Sequence, residues 1–197
     1  MNRIEHPINL EGEKVRLVPL DSCHFHALLE ISKDSRIWEF YSANGGNPDR
    51  LLLHLKSAVL KRATLEQYAF TVIDKPSGQI IGSTMLYNFS WDNSKLEIGW
   101  TWSNPAFWRT GHNRECKLLL LTYCFETLGA IRVQFLTDEI NTRSRHALEG
   151  MGCTMEGILR NERIKDNGGY RNSVVFSVID SEWPEVKQKL AAQIYNK

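Results

Sequence analysis

The run Trp108, Arg109, Thr110, Gly111, His112, Asn113, Arg114 opens a long apolar stretch with helical spacing, about residues 112–128. A glycine-bearing loop at a helix N-terminus exposes backbone N–H groups that have no intrahelical partner. Those groups and the positive end of the helix dipole favour an anion, phosphate above all. Gly111 lets the backbone take angles closed to other residues and approach a ligand closely. Asn113 tolerates unusual φ better than most side chains. The same residues also fit a plain turn before a helix. The loop is neither the G-x-x-x-x-G-K-[ST] phosphate loop nor the G-x-G-x-x-G dinucleotide fingerprint.

Other candidates stand close by in the chain. Glu97 lies in a strand-like run just before the loop, where a carboxylate could attract an ammonium group and take its proton, or simply order the fold. Ser144 comes three residues after Asn141, a good helix cap, and reads first as a first-turn residue bonding backbone. Trp38, Tyr41, Trp91 and Trp102 are candidate walls of a substrate-binding pocket, although large aromatics also serve as core. Trp38 and Tyr41 precede the Gly-rich segment 42–48, which suits a mobile rim. His24 and His26 read as solvated helix positions, so no metal site is expected.

These residues need elements to hold them. Residues 14–19 alternate as a strand, and Asp21 or Ser22 can cap a helix running to about residue 31. Residues 51–65 carry dense helical apolar spacing. Residues 68–74, 79–88 and 95–102 read as strands, with turns at 75–78 and around Asp92 and Asn93. Gly99 within the third of these suggests a bulge or a close backbone approach. Gly129 ends the long helix, residues 131–137 form a strand, and Asn141 caps a short helix ending at Met151 and Gly152. Strands over 155–162 and 171–179 flank a turn at 166–169, and a last helix starts near Ser181 with Pro184 in its first turn. The order predicts an α+β fold with a mixed sheet rather than regular strand–helix alternation.

The chain has 197 residues, which fits one domain with a sizeable core. Its 42% apolar and 24% charged residues argue against disorder. Lys plus Arg number 24 against 23 Asp plus Glu, without the basic excess of a nucleic-acid binder. Cys23, Cys116, Cys124 and Cys153 form no C-x-x-C pair and read as reduced, mostly buried thiols, which favours a reducing compartment. The N-terminal segment has no signal-peptide pattern, and no apolar run approaches the ~18–20 residues that span a bilayer, so a cytoplasmic protein is expected.

Taken in order, EIGWTWSNPAFWRTGHNRECKLLLLTYCFE and then NTRSRHALEGMGCTMEGILRNERIKDNGGYRNSVVFSVIDSEW resemble the GNAT superfamily of N-acetyltransferases. The opening LEGEKVRLVPLD looks like the branch that acetylates ribosomal-protein N-termini. The resemblance covers nearly the whole chain and implies a single domain over residues 1–197 with a splayed, mostly antiparallel sheet flanked by helices. It departs from the superfamily's [Gln/Arg]-x-x-Gly-x-[Gly/Ala] loop at Trp108 and Asn113.

The resemblance further implies acetyl-coenzyme A as cosubstrate, with no metal. The pantetheine arm would pair with the strand bearing Ile98, Gly99 and Trp100. The pyrophosphate would sit on the Gly111–Arg114 amides, and a main-chain N–H near Gly99 and Trp100 would steady the oxyanion. Asn141 would bond the pantetheine or a water, Glu97 would act as base or as anchor of the substrate ammonium, and Ser144 would give a proton to the departing thiolate. The expected acceptor is a primary amine, a protein N-terminus first, with a polyamine or amino-sugar as the alternative and a non-catalytic acyl-coenzyme A sensor as the rival. Nucleic acid and membrane are not expected partners, and a homodimer is left open.

Overall fold

The computed structural model describes residues 1–195. Strand β1 (Leu10–Glu11) turns back on β2 (Val15–Pro19), where Val15 and Leu17 are buried and Arg16 between them is exposed, the two-residue period of a strand. Asp21 caps a short 3-10 turn (Ser22–His24) that leads into α1 (Phe25–Ser32). Helix α2 (Pro48–Ala63) starts earlier than the apolar spacing from residue 51 suggests. The Asn47 side chain accepts from the Arg50 N–H, and Pro48 takes the first helical position, where a missing N–H is harmless.

Strands β3 (Gln67–Asp74), β4 (Ile80–Ser90) and β5 (Lys95–Ser103) form an antiparallel meander. Helix α3 (His112–Thr122) runs on as a π turn (Tyr123–Thr127), in which the Leu128 N–H reaches the Tyr123 carbonyl. The helix expected to reach Leu128 is therefore α-helical only as far as Thr122, and Gly129, at φ 69°, turns the chain away. Then follow β6 (Arg132–Asp138), α4 (Thr142–Met151), β7 (Thr154–Ile164), β8 (Tyr170–Ile179) and α5 (Trp183–Tyr195).

The eight strands make one sheet in the order β1-β2-β3-β4-β5-β6-β8-β7, antiparallel except at β5–β6. Strand β3 is covered on both faces and serves two cores. Tyr68, Phe70 and Val72 pack with Leu120 and Leu121 of α3 and Leu190 of α5, whereas Ala69 packs with Leu28 of α1 and Leu51 and Leu55 of α2. Each fully buried leucine contributes about 1.5–3 kcal/mol relative to exposure. The result is the α+β fold with a mixed, open sheet that the element order predicts. Among the described residues, no helix is long and apolar enough to cross a membrane.

Two irregularities at the centre of the sheet make room for a site. β5 and β6 pair only where Lys95, Leu96 and Glu97 face Arg132, Val133 and Gln134. Beyond that the strands part, β5 continuing to Ser103 and β6 to Asp138, and a wedge opens between them. β5 is also bulged: Gly99 stands opposite Met85 and Trp102 opposite Ser83, which leaves one extra residue at Trp100, with φ 48°.

Candidate active site

The loop after β5 closes the mouth of the wedge. Gly111 caps α3 in the left-handed region, at φ 94°, and offers no side chain to its first-turn amides. The N–H groups of His112, Asn113 and Arg114 are therefore open to an external acceptor. The loop is fastened by its own side chains. The Thr110 hydroxyl donates to the Phe107 carbonyl at 2.6 Å and lies 2.6 Å from His112 Nδ1. His112 Nε2 reaches Asp74 Oδ1 at 2.8 Å, at the end of β3. The Ser77 hydroxyl and then His112 hold the Asp74 carboxyl below its ordinary value. His112 is thus a strut under the loop. Arg109 takes a positive φ of 62° and stays exposed. Lys14, in the turn between β1 and β2, supplies a charge here that nothing local in sequence announces. Its Cε lies 3.5 Å, and its ammonium 3.9 Å, from where a Cβ on Gly111 would stand.

Glu97 occupies the last paired position of the wedge and is only 2% exposed. The Tyr87 hydroxyl donates to its Oε1, while Asn88 Nδ2, at 3.1 Å, and Gln134 Nε2, at 3.5 Å, donate to Oε2. Burial raises the Glu97 carboxyl above its ordinary value, and these three donors and Arg163 only partly offset it. Burial and the neighbouring Glu97 also push the Tyr87 phenol up. Gly99 makes room for Tyr87, since a Cβ there would stand 2.7 Å from the phenol oxygen. Gly99 is therefore a close-approach glycine beside a bulge that falls on Trp100.

On the other side of the wedge, three residues separate the end of β6 from the start of α4. Asn141 caps it, its Oδ1 accepting the Ser144 N–H at 2.9 Å, and Ser144 is half-buried. Arg143, in the same first turn, lays its guanidinium 4.0 Å from the centroid of the Trp108 ring and 5.9 Å from that of Phe40. That contact joins α4, the loop before α3 and the segment after α1.

Of the four aromatics named as pocket walls, three come together. Trp38 meets Tyr41 edge-on at 5.2 Å and Trp102 at 5.3 Å. The Tyr41 hydroxyl donates to the Thr101 carbonyl at 2.6 Å, beside the bulge. Trp100 and His54 stack at 4.0 Å in the same group. Trp91 is elsewhere: it sits in the β4–β5 turn, stacked on Phe89, at the end of β5 where the strands are still paired. The segment 42–48, read as a mobile rim, is pinned by Asp166 of the β7–β8 turn, which accepts from the Asn44 N–H and from Arg50.

Two charged residues of α3 escape a reading by sequence. Glu115 is fully buried and accepts from the N–H groups of Glu13, Lys14 and Val15. Lys117 is 5% exposed and donates to the Thr101 hydroxyl at 2.7 Å. Their only signal is a charge on a helix whose neighbours Cys116, Leu118, Leu120 and Leu121 are all buried. Among the described residues no cluster of His, Cys, Asp and Glu could hold a metal ion.

The sheet splays, an anion-ready helix N-terminus stands at its mouth, and a buried carboxylate stands at its vertex. Residues 14–154 match the family described as Acetyltransferase (GNAT) domain, and the chain belongs to it. Members of this family transfer acetyl groups from acetyl-coenzyme A. A Bacillus subtilis (strain 168) protein with the provisional name ribosomal N-acetyltransferase YdaF is 32% identical over 106 residues, 54% of this chain and 57% of its own length. The chain thus matches little more than half of that relative. A GCN5-related N-acetyltransferase from Brucella melitensis has the same fold at TM-score 0.88 and 29% identity, over 96% of this chain and 86% of that one. Mycobacterium smegmatis RimJ, in complex with CoA-disulfide, shares the fold at TM-score 0.82 and 18% identity, over 95% of each chain.

Proposed function

We propose that this chain acetylates the terminal amine of a protein. The reading rests on Glu97, a buried carboxylate with a raised pKa at the vertex of the wedge. An amine acceptor arrives protonated, and a base poised nearer neutrality than an ordinary glutamate suits its deprotonation. The name of the Bacillus subtilis relative favours a ribosomal protein over a free small amine. Acetyl-coenzyme A supplies an activated thioester. The chain's own residues do the rest. The first-turn amides of α3 hold the pyrophosphate, with Lys14, Arg109 and Arg114 adding charge. A main-chain N–H near Gly99 and Trp100 steadies the oxyanion, and Asn141 orients the pantetheine. Ser144 Oγ provides a proton to the leaving sulfur, and Trp38, Tyr41 and Trp102 wall the acceptor. The three buried thiols and exposed Cys23, all free, suit the cytoplasm.

The deciding experiment incubates the protein and acetyl-coenzyme A with N-terminal peptides, polyamines and aminoglycosides, and weighs the products. Acetylated peptide is expected. Acetylation of polyamine or aminoglycoside alone would replace this acceptor with a small amine.

Two substitutions probe the site. Gly111→Val forces a β-branched residue to φ 94°, costing about 1–3 kcal/mol, and crowds Lys14. Acetyl-coenzyme A should bind about tenfold or more weakly by calorimetry while the variant stays folded. Unchanged affinity would remove the loop from the binding site. Ser144→Ala should lower kcat about 10²-fold with little change in KM, as expected for a proton donor. A loss below about threefold would leave Ser144 as a first-turn helix residue.

A further inference from the structure

Lys117 is a charge in the wrong solvent. It projects from α3 between the two strands that have parted: its Nζ lies 2.7 Å from Thr101 Oγ1 on β5 and 5.7 Å from the centroid of Phe135 on β6. Both residues lie beyond the last β5–β6 pair, Glu97 and Gln134, so the ammonium stands inside the wedge. An ammonium has three donors and needs acceptors for all of them when buried. Here one neutral hydroxyl accepts, and Thr101 Oγ1 is itself shared with Thr84 Oγ1 at 2.7 Å and lies 3.4 Å from the Gly99 carbonyl. Among the described residues no carboxylate lies within ion-pair distance of Lys117. The titratable groups that face it are Cys116 on α3, Cys124 in the π turn and Cys153 before β7. Burial pushes all three thiols up, Cys116 and Cys153 to about 12, so they carry no charge to answer the ammonium. Burial in turn brings the lysine down to about 8, which still leaves it largely charged at neutral pH.

A buried cation without an anion, beside unused donors, marks a place where an anion arrives. The thioester chemistry of this family creates one such anion. The acceptor amine, relieved of its ammonium proton by Glu97, bonds through nitrogen to the acetyl carbon and sheds one more proton to water; the carbon–sulfur bond breaks and its electron pair leaves on sulfur. We propose that Lys117 is the counter-charge for that sulfur: its ammonium, held at Thr101 in the wedge, stabilises coenzyme A as the thiolate. Lys117 keeps its three protons, and the sulfur then takes a proton from Ser144, which recovers one from water. The proposal rests on the acetyl-transfer reading above and adds to it a residue that binds the leaving group.

The test reads the protonation state of bound coenzyme A rather than turnover. Coenzyme A is bound at saturation and titrated by the ultraviolet absorbance of its thiolate. The same titration with desulfo-coenzyme A subtracts the signal of the protein's own cysteines. The thiol of bound coenzyme A should titrate about one pH unit or more below the free compound, a tenfold gain in thiolate. In Lys117→Met the shift should vanish. This variant should fold, because replacing a poorly paired buried charge with an apolar side chain of similar length is often neutral or stabilising. The sign agrees. A lysine lowered in the folded state holds its proton at a cost below its folded pKa, and methionine removes that cost. A bound thiol that titrates like the free one in the wild-type protein overturns the proposal, whatever the variant does. So does a shift that survives in Lys117→Met. Wild-type protein that binds neither compound overturns the acetyl-transfer reading together with this one.

Discussion

Glu97→Gln should lower kcat/KM near neutral pH by about 10²-fold or more, the range of a lost general base. Glutamine keeps the length of the side chain and an oxygen to accept from Tyr87, but it neither takes a proton nor attracts an ammonium. The loss should shrink as pH rises, because more of the acceptor then arrives already deprotonated. In the wild-type protein a further limb belongs to Glu97 itself, at a pH above the ordinary glutamate range because burial raises its pKa. That limb should be missing in the variant. Stability separates this role from a structural one. A carboxyl raised in the folded state favours folding while protonated and loses that contribution as pH climbs through its folded pKa. Once ionised, Glu97 is therefore a burden on the fold, and glutamine relieves it. The amides of Asn88 and Gln134 can rotate to present oxygen to the new NH2 group. Thermal melts should coincide or favour the variant. Parallel pH–rate profiles with a clear fall in melting temperature would instead make Glu97 a structural carboxylate.

Much of the scaffold was legible because it follows local rules. Asn141 announced its cap and Gly152, at φ 97°, the helix end. The alternation in β2 and the β-branched run of β6 announced strands. Asn47 and Pro48 are an equally good helix start, but the Gly-rich segment before them has the composition of a loop. β1 has two residues, too few for a period to show. The site was legible where backbone geometry carries it, at Gly111 and around Gly99. It was not legible where direction matters. Nothing local separates Trp91, stacked in a turn on Phe89, from Trp102, packed with Trp38. Lys117 and Glu115 are defined by partners on strands and turns remote in sequence, Thr101, Phe135 and the 13–15 backbone, and no window of sequence contains both sides of such a contact.

Glu115→Ala should cost the fold about 3 kcal/mol or more, measured by denaturant unfolding with the slope unchanged. The carboxylate is wholly buried and accepts from Glu13 N–H at 2.9 Å and from Lys14 and Val15 N–H at 2.7 Å each, with the Tyr195 hydroxyl at 3.2 Å. Alanine leaves three backbone donors without their acceptor, at about 1–3 kcal/mol each, reduced where water reaches the rim of the turn. Gly12 exists for this contact, since a Cβ there would stand 2.5 Å from the Glu115 carboxyl carbon. Glu115→Gln should lie between, because one oxygen still serves Lys14 and Val15 while the new NH2 group faces the Glu13 N–H. The damage should also reach the site. The turn that Glu115 anchors carries Lys14 against Gly111, and the same residue closes the first turn of α3, its N–H on the Gly111 carbonyl at 3.0 Å. KM for acetyl-coenzyme A should therefore rise in the folded variant while kcat changes little. An alanine variant as stable as the wild type would mean that water replaces the carboxylate in the turn, and Glu115 would no longer account for how the β1–β2 hairpin is held to α3.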